Sequence, residues 1–379
     1  MPTCVFVVGT RAQLVKVSPV LRLAAAAGLP HSLYLAGQHR DSMDALLEDF
    51  DIDSPLVQPA AATERSSVLR LLTWLPGAFL ACRRYLRQVA AEDGAAPLVV
   101  VHGDTLSTLT GALAARSCGA AVAHMESGLS SLKLFDPFPE EAVRRLVFRL
   151  LHFALCPNAA AAGRMRRYRP DDIVDTGENT LLDTVRYALA KPAADPGVPA
   201  GDYAVASIHR FENIYRRRRL ASLVDELVDI AAQVPLLFVL HPPTAARLRR
   251  YGLLGRLESA PGLRLSPRLP YSAFLRLLAD ARLVLTDGGS NQEELTYLGV
   301  PTVLLREVSE RPDGLGGNVV FRREIAGSLA AFLANGGAAA LRRERRVDAD
   351  AEPSRRTLEA LQRWSDGPTN DRRAGPAAA

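Results

Sequence analysis

Three features of the sequence predict an α/β protein with two doubly wound domains, each built on a parallel sheet. The chain has 379 residues, which suits two domains at about 100–200 residues each. Short apolar runs alternate with longer helical patterns, as in a parallel sheet with helices on both faces. The same alternation restarts after a segment rich in Pro, Ala and Gly at 191–201. Two such units in succession imply two Rossmann-like domains facing a cleft.

The first half of the chain contains the first run of this alternation. We expect strands at 4–8, 31–36, 98–102 and 120–125, and helices at 14–27, 106–116 and 140–152. Residues 98–101 are continuously apolar, which is typical of a strand buried on both faces. We assign these elements to an N-terminal domain over residues 1–176.

The second half repeats the pattern. Strands are expected at 203–208, 235–241, 283–286 and 302–305, with helices at 220–233, 271–281 and 292–298. We assign them to a second domain over residues 177–352. A final helix at 353–364 is expected to pack back on the first domain, and residues 365–379 have the composition of a disordered tail.

Composition and charge argue against several classes of protein. No apolar run reaches the roughly 18–20 residues of a membrane span, and no signal-peptide pattern is visible, so we expect a cytoplasmic protein. An interfacial helix at 68–82 is the alternative for the longest apolar stretch. The net charge of +5 comes from arginines without interleaved aromatic residues, which disfavours nucleic acid and suits an anionic small substrate. The four cysteines lack C-x-x-C spacing, so neither structural zinc nor a disulfide framework is expected.

The loop after the first strand carries candidate anion-binding residues. It lacks the dinucleotide fingerprint G-x-G-x-x-G and a Walker A loop. Instead, Gly9-Thr10-Arg11 leads into a helix with Lys16 near its start. Because ligands of open α/β sheets bind at the carboxyl ends of strands, cations beside this helix N-terminus suit a diphosphate. A surface arginine beside a turn is the alternative interpretation.

Three acids occupy similar positions in the first half. Asp104 and Glu126 follow strands, and Glu140 opens a helix. Each has an ordinary explanation, such as a helix N-cap for Asp104 or compensation of the helix dipole for Glu140. Since all three should converge on one crevice, a set of general acids and bases is the better interpretation.

The second half has polar residues at the corresponding strand ends. His209 and His241 end successive strands, and a glycine turn that includes Gly289 and Ser290 leads into a helix that carries Glu294. The backbone N–H groups of such a turn can approach an anion closely, and Glu294 could reach ribose hydroxyls. A plain tight turn with structural histidines is the alternative.

Taken together, these motifs resemble the non-hydrolysing UDP-N-acetylglucosamine 2-epimerases. The residues that carry the resemblance run from about Cys4 to Val320 in the family's order and spacing: Gly9-Thr10-Arg11 with Lys16, Gly37-Gln38-His39-Arg40, His102-Gly103-Asp104-Thr105, His124 with Glu126, Pro139-Glu140-Glu141, His209-Arg210 with Glu212-Asn213, Thr286-Asp287 with Gln292-Glu293-Glu294, and Glu310-Arg311-Pro312. The resemblance implies the GT-B architecture, a UDP-sugar substrate, a homodimer, and no metal or added cofactor.

The resemblance also implies a role for each motif. The acid/base carboxylates that it implies are Asp104, Glu126 and Glu140. The groups that it implies to support the departing diphosphate are Arg11, Lys16 and His209. The remaining substrate-binding residues that it implies are His241, Gly289, Ser290, Glu294 and Arg311. Gln38 and His39 match part of the site at which a second substrate molecule activates the family's bacterial members.

The sequence departs from the family's pattern in four places. Gln13 stands where Glu is usual, and Ser130 stands where Arg is usual. The run Gly288-Gly289-Ser290-Asn291 replaces Ser-Gly-Gly-Ile, and Phe211 replaces an Arg. The acid/base set is unchanged, which favours chemistry of the same type, while the identity of the sugar stays open.

The chemistry favours elimination of the nucleotide. Carbon 2 of an N-acetylhexosamine has no adjacent carbonyl, so an enzyme must either oxidise carbon 3 with NAD or expel the nucleotide to form a glycal. The missing dinucleotide fingerprint favours the second route, which needs a base near carbon 2 and stabilisation of the leaving diphosphate. We therefore expect interconversion of UDP-N-acetylglucosamine and UDP-N-acetylmannosamine for cell-surface polysaccharide or glycoconjugate synthesis. A GT-B glycosyltransferase is the main alternative, followed by a hydrolysing epimerase and a nucleotide-sugar-binding regulatory protein.

Overall fold

The protein divides into two compact units in the computed structural model. The structure describes residues 1–36, 40–58, 68–130, 139–192, 201–309, 312–347 and 350–366. Unit 1 comprises Met1–Thr184 and the segment that begins at Asp350, and unit 2 comprises Val185–Ala349. The assignment of domains to 1–176 and 177–352 stays a prediction.

Unit 1 contains a seven-stranded parallel sheet. Its strands are β1 (Cys4–Val8), β2 (His31–Leu35), β3 (Leu56–Val57), β4 (Leu98–His102), β5 (Ala121–Met125), β6 (Phe153–Cys156) and β7 (Asp172–Asp175). They are arranged in the order β3-β2-β1-β4-β5-β6-β7, and every neighbouring pair is parallel. All residues of β1 and β4 are buried, because helices cover both faces of a parallel sheet.

Unit 2 contains a six-stranded parallel sheet. Its strands are β8 (Ala204–Ser207), β9 (Leu236–Val239), β10 (Leu263–Ser266), β11 (Leu283–Thr286), β12 (Thr302–Leu304) and β13 (Val319–Phe321). Their order is β10-β9-β8-β11-β12-β13, again with parallel pairs throughout. The prediction of two parallel, Rossmann-like sheets is confirmed.

Helices connect these strands along the described part of the chain. They are α1 (Arg11–Ala26), α2 (Arg40–Asp49), α3 (Val68–Asp93), α4 (Leu106–Ser117), α5 (Glu140–Val147), α6 (Ala159–Met165), α7 (Leu181–Ala190), α8 (Phe211–Ile214), α9 (Arg217–Ala231), α10 (Pro242–Arg250), α11 (Leu254–Glu258), α12 (Tyr271–Ala279), α13 (Gly289–Leu298), α14 (Leu329–Ala334), α15 (Gly337–Leu341) and α16 (Pro353–Asp366). The apolar stretch at 68–82 lies within α3. Among the described residues, no helix is long and apolar enough to cross a membrane.

Several boundaries differ from the predicted ones. Helix α1 begins at Arg11 instead of residue 14, because Thr10 and Gln13 form a capping box ahead of the first apolar position. Helix α5 ends at Val147, well before residue 152. Edge strand β10 was not predicted, since its residues are mostly half-exposed and lack a continuous apolar run.

The C-terminal helix α16 packs against α1 within unit 1. The backbone N–H of Ser354 donates to Asp183 at 2.9 Å, and Trp364 meets Phe153 edge-to-face. The helix continues through Asp366, so the predicted tail does not begin at Ser365, which is buried beside Cys4. The rest of the predicted tail lies outside the described residues.

Candidate functional site

Each sheet has one topological switch point, where the strand order reverses direction. It lies between β1 and β4 in unit 1, and between β8 and β11 in unit 2. Ligands of open α/β sheets bind outside the carboxyl ends of the strands at such points. The loops that follow these four strands, together with the helices α1 and α13, contain Arg11, Lys16, Asp104, His209, Gly289, Ser290 and Glu294.

In unit 1, Gln13 connects the two loops at the switch point. Its Oε1 accepts hydrogen bonds from the backbone N–H groups of Gly9 and Thr10 at 2.8 and 3.1 Å. Its Nε2 donates to the carbonyl oxygen of His102 at 2.6 Å. A Cβ at position 9 would collide with Ser107. The loop that leads to Arg11, the first residue of α1, is therefore held against the loop that leads to Asp104.

Glu126 forms a buried ion pair with Lys16 directly after β5. Lys16 Nζ lies 2.5 Å from Glu126 Oε1, and the two side chains are only 3% and 8% exposed. Asn179 Nδ2 donates to the same oxygen at 2.7 Å. The backbone of Glu126 has φ of 64°, a conformation that costs a non-glycine residue of order 1–3 kcal/mol and is concentrated at functional sites. Lys16 thus compensates a carboxylate whose position is fixed.

The alternative explanation of Asp104 as the N-cap of α4 is wrong. Thr105 is the N-cap, and its side chain accepts from the N–H of Thr108. Asp104 instead forms an ion pair with Arg144 of α5. Glu126 lies close by, because its Oε2 is 3.6 Å from the point where a Cβ would stand on Gly103. The acids after β4 and β5 therefore occupy neighbouring loops.

Glu140 is the first residue of α5, one helical turn before Arg144. Pro139 precedes it at the N-cap position and provides no side-chain cap. The Oε2 atom of Glu140 is buried and has no hydrogen-bond partner within the described part of the chain. An unsatisfied buried oxygen is costly, so this atom of Glu140 has acceptor capacity that the described residues do not use.

His124 supports the loops that carry these acids. It is fully buried in β5, with Nε2 at 2.7 Å from the carbonyl oxygen of Gly103 and Nδ1 at 2.7 Å from Ser127 Oγ. Burial lowers the pKa of His124 to about 4, although the bond to Gly103 and the Glu126 charge oppose this shift. A neutral ring with its proton on Nε2 satisfies both contacts.

In unit 2, Asp287 connects the two loops at the switch point. This fully buried carboxylate follows β11 and accepts hydrogen bonds from the N–H groups of His209 and Arg210 at 3.0 and 2.9 Å. Asn213 Nδ2 donates to it at 2.8 Å. These donors stabilise the buried charge and fix the loop after β8 against the loop after β11.

The two predicted histidines of unit 2 lie together. Their rings are stacked with centroids 4.5 Å apart. His209 Nδ1 is 3.2 Å from Asp287 Oδ1, and its side chain is 38% exposed. Burial lowers the pKa of His209, the Asp287 charge opposes this shift, and Arg210 and Arg268 reinforce it. His241 is the N-cap residue of α10, and its Nε2 atom lies 3.3 Å from Ser207 Oγ.

The predicted glycine turn is the first turn of α13. The helix begins at Gly289, with Gly288 at the N-cap, so Gly289 and Ser290 lie within the helix and not before it. A Cβ on Gly288 would stand 2.5 Å from Asn291 Oδ1, so a larger residue at position 288 would require the Asn291 side chain to move. The backbone N–H groups of a first helical turn are available to an anion.

Glu294 is buried on α13 and already has protein partners. Its Oε1 accepts from Tyr271 Oη, and its Oε2 accepts from Asn291 Nδ2, each at 3.0 Å. These two bonds use two of the roughly four lone-pair sites of a carboxylate.

Three predicted residues, Gln38, His39 and Arg311, lie outside the described residues. Within the described ranges, no cluster of three or more His, Cys, Asp or Glu side chains could hold a metal ion.

Sequence reasoning missed two residues of these sites. Asn179 is 53 positions from Glu126, and a hydrogen bond across that separation leaves no local signal. Asp287 was noted within its motif without a role, although an acid directly after a buried strand and before two glycines is a recognisable pattern.

Comparisons with known proteins show the family to which the chain belongs. A family model described as UDP-N-acetylglucosamine 2-epimerase matches residues 21–324. The UDP-N-acetylglucosamine 2-epimerase of Methanocaldococcus jannaschii is 28% identical over 83% of this chain and 87% of its own length. That of Bacillus subtilis is also 28% identical, over 82% of this chain and 80% of its own. The crystal structure of the Neisseria meningitidis UDP-GlcNAc 2-epimerase bound to UDP-GlcNAc has a TM-score of 0.76 at 24% identity, covering 95% of this chain and all of that one.

Proposed function

Because the chain belongs to the UDP-N-acetylglucosamine 2-epimerase family, we propose that it interconverts UDP-N-acetylglucosamine and UDP-N-acetylmannosamine by elimination and readdition of UDP. The chain is thus an isomerase. The observation that carries the elimination mechanism is the gathering of acids in unit 1. Asp104 and Glu126 follow adjacent strands, each with its own cation, and Glu140 begins the helix whose Arg144 contacts Asp104.

The proposed reaction begins with removal of the proton on carbon 2 by a carboxylate. The bond between carbon 1 and the phosphate oxygen breaks, UDP leaves with the bonding electrons, and a double bond forms between carbons 1 and 2. UDP then adds back to carbon 1 while a carboxylic acid delivers a proton to the opposite face of carbon 2. Two acid/base groups on different faces are required, and the separate positions of Asp104, Glu126 and Glu140 support that assignment.

The diphosphate-binding task is assigned to cations and to N–H groups. In unit 2, the partly exposed His209 and the first turn of α13 at Gly289 and Ser290 support this role. The resemblance assigns Arg11, at the start of α1, to the same task. Glu294 is proposed to accept from the ribose, and His241 to support the ring of His209. Lys16, which the resemblance assigns to the departing diphosphate, is paired with Glu126 and is proposed to balance the charge of that carboxylate.

The test is incubation with UDP-N-acetylglucosamine in heavy water, without acceptor, added NAD or metal, followed by NMR. We expect UDP-N-acetylmannosamine to accumulate, and deuterium to appear at carbon 2 of both nucleotide sugars. A reaction that proceeds without label would contradict elimination. Nucleotide sugars that stay unchanged until an acceptor is supplied would replace the epimerase with a glycosyltransferase, and accumulation of free sugar with UDP would indicate a hydrolysing enzyme.

The role of Gln38, His39 and Arg311 in substrate binding or activation, the homodimer and the cytoplasmic location stay predictions.

A further inference from the structure

Arg144 connects two carboxylates of unit 1. Its Nη2 atom contacts Asp104 Oδ2, and its Nη1 atom lies 3.1 Å from Glu141 Oε2. The side chain of Arg144 is 15% exposed and that of Glu141 is fully buried. Because the guanidinium is planar and rigid, fixing one of its nitrogens on Glu141 also fixes the direction in which the other meets Asp104.

Glu141 is held from its second oxygen as well. Its Oε1 accepts from Ser130 Oγ at 2.5 Å and from Arg145 Nε at 2.9 Å. A buried carboxylate is stable only when its charge and its lone pairs are satisfied. Here the charge is balanced by the two arginines of its own helix, while Ser130 supplies a neutral hydrogen bond. Ser130, one of the departures from the family's pattern, therefore contacts the carboxylate that Arg144 also binds.

Arg144 contributes to the orientation of Asp104. Asp104 lies on the loop after β4, and its side chain is 26% exposed, the highest value among Asp104, Arg144 and Glu141. The ion pair with the rigid guanidinium restricts the rotation of this partly exposed side chain. The guanidinium also favours the ionised form of a neighbouring carboxylate, which is the form that accepts a proton.

We propose that Arg144 is a positioning residue that orients Asp104 for proton transfer, and that Glu141 acts through Arg144. This inference rests on the proposed function. A merely structural role would make Arg144 and Arg145 equivalent, since both pair with Glu141 on α5 at helical spacing. In the described part of the chain, Arg144 also donates a hydrogen bond to Asp104, whereas Arg145 donates to Glu141.

The experiment compares Arg144→Gln with the matched control Arg145→Gln. Each variant removes one cation from Glu141, and Arg144→Gln also removes the ion pair with Asp104, so we expect both to lower Tm and Arg144→Gln to lower it more. Arg144→Gln should lower kcat by ~10–100-fold with KM nearly unchanged, the scale expected when a catalytic group is misplaced. Arg145→Gln should stay within about threefold of the unmodified enzyme, below the scale of a misplaced group. Arg144→Lys keeps the charge without the fork and should recover part of the lost kcat.

A double-mutant cycle tests whether Arg144 acts through Asp104. We expect Asp104→Asn with Arg144→Gln to be no slower than Asp104→Asn alone. Additive losses, equal kcat for Arg144→Gln and Arg145→Gln, or a KM effect without a kcat effect would overturn the proposal.

The four proteins of this cycle, which are the unmodified protein, Asp104→Asn, Arg144→Gln and the double variant, are also compared by urea unfolding. A contact between Asp104 and Arg144 predicts a non-additive shift of the unfolding midpoint, and additive shifts would overturn the positioning role even without a turnover assay. If the unmodified protein forms no UDP-N-acetylmannosamine but this coupling is present, the proposed function fails while the contact stands. If Arg144→Gln does not fold, Arg144→Lys in the same cycle gives the same comparison.

Discussion

At each switch point, one buried side chain connects the two loops, but the side chain differs in chemistry between the two units. In unit 1, the loops after β1 and β4 are connected by the neutral amide of Gln13, which both accepts and donates. In unit 2, the loops after β8 and β11 are connected by the carboxylate of Asp287, which only accepts. An amide suits unit 1, because it can donate to the carbonyl of His102. A buried charge suits unit 2, because only donors surround it there.

The difference extends to the charges around each switch point. In unit 1, buried or partly buried acids are paired with Lys16 and Arg144. In unit 2, the carboxylate of Asp287 accepts hydrogen bonds from N–H groups, and Nδ1 of the His209 imidazole lies 3.2 Å from its Oδ1 atom. The acids of unit 1 are thus held by fixed charges, whereas Asp287 lies beside an imidazole whose pKa is lowered by burial.

The largest effect is expected for Asp287→Asn. The amide nitrogen of Asn would face the N–H groups of His209, Arg210 or the side chain of Asn213, and at least one donor would lose its partner. Hydrogen bonds to buried charged groups contribute about 1.5–3 kcal/mol each, so we expect a loss of about 3–4 kcal/mol in the free energy of unfolding. Urea unfolding measures it, with Asp280→Asn as control, because Asp280 is 72% exposed in its ion pair with Arg345. Equal stability of the two variants would contradict the role of Asp287.

A somewhat smaller effect is expected from the buried imidazole of unit 1. His124 has a folded-state pKa of about 4, below the value of about 6.5 for an unfolded histidine. The neutral ring therefore contributes its full stability above pH 6.5, and that contribution is lost as the pH falls toward 4. The difference corresponds to about 3 kcal/mol.

The measurement is the unfolding free energy of the unmodified protein minus that of His124→Gln, between pH 7 and pH 4. This difference should shrink as the pH falls, because the variant has no imidazole to protonate. His31→Gln, at a partly exposed histidine of the same unit, is the control. A difference that stays constant with pH would mean that His124 does not need to stay neutral.

The smallest effect is expected for Gln13→Glu, which introduces the residue that is usual in the family. A carboxylate at this position can keep the bonds from Gly9 and Thr10, but it must bind a proton to donate to the carbonyl of His102. Its pKa should therefore rise in the folded state, and stability should be lost as the pH rises above the unfolded value of about 4.3. We expect a loss of about 1–2 kcal/mol at pH 8, the cost of one unmade hydrogen bond.

Thermal unfolding at pH 5 and pH 8 provides the comparison for Gln13→Glu. Gln362→Glu, on the half-exposed face of α16, should show no such pH dependence. The decrease in stability caused by Gln13→Glu should be larger at pH 8 than at pH 5. An equal decrease at both pH values would mean that unit 1 does not need a donor at position 13, so a carboxylate could connect its loops as Asp287 does in unit 2.

The sequence by itself determined the fold class and the places where candidate residues occur. Hydrophobic periodicity is local, so continuous apolar runs such as 98–101 predict buried strands, and the polar residues that follow them fall at strand ends. Half-exposed edge strands such as β10 have no such signal, which is why they were missed. The start of α13 at Gly289 was also missed, because a glycine–serine run at a helix N-terminus has the composition of a turn.

Only the tertiary structure decided which partner each candidate meets. Asp104 and Arg144 are 40 positions apart, and Asn179 and Glu126 are 53 apart. A helix N-cap for Asp104 and a dipole-favouring role for Glu140 were reasonable from local pattern alone. The roles of a carboxylate depend on the donors and cations that packing brings within about 3 Å, and packing joins residues that the local sequence does not relate.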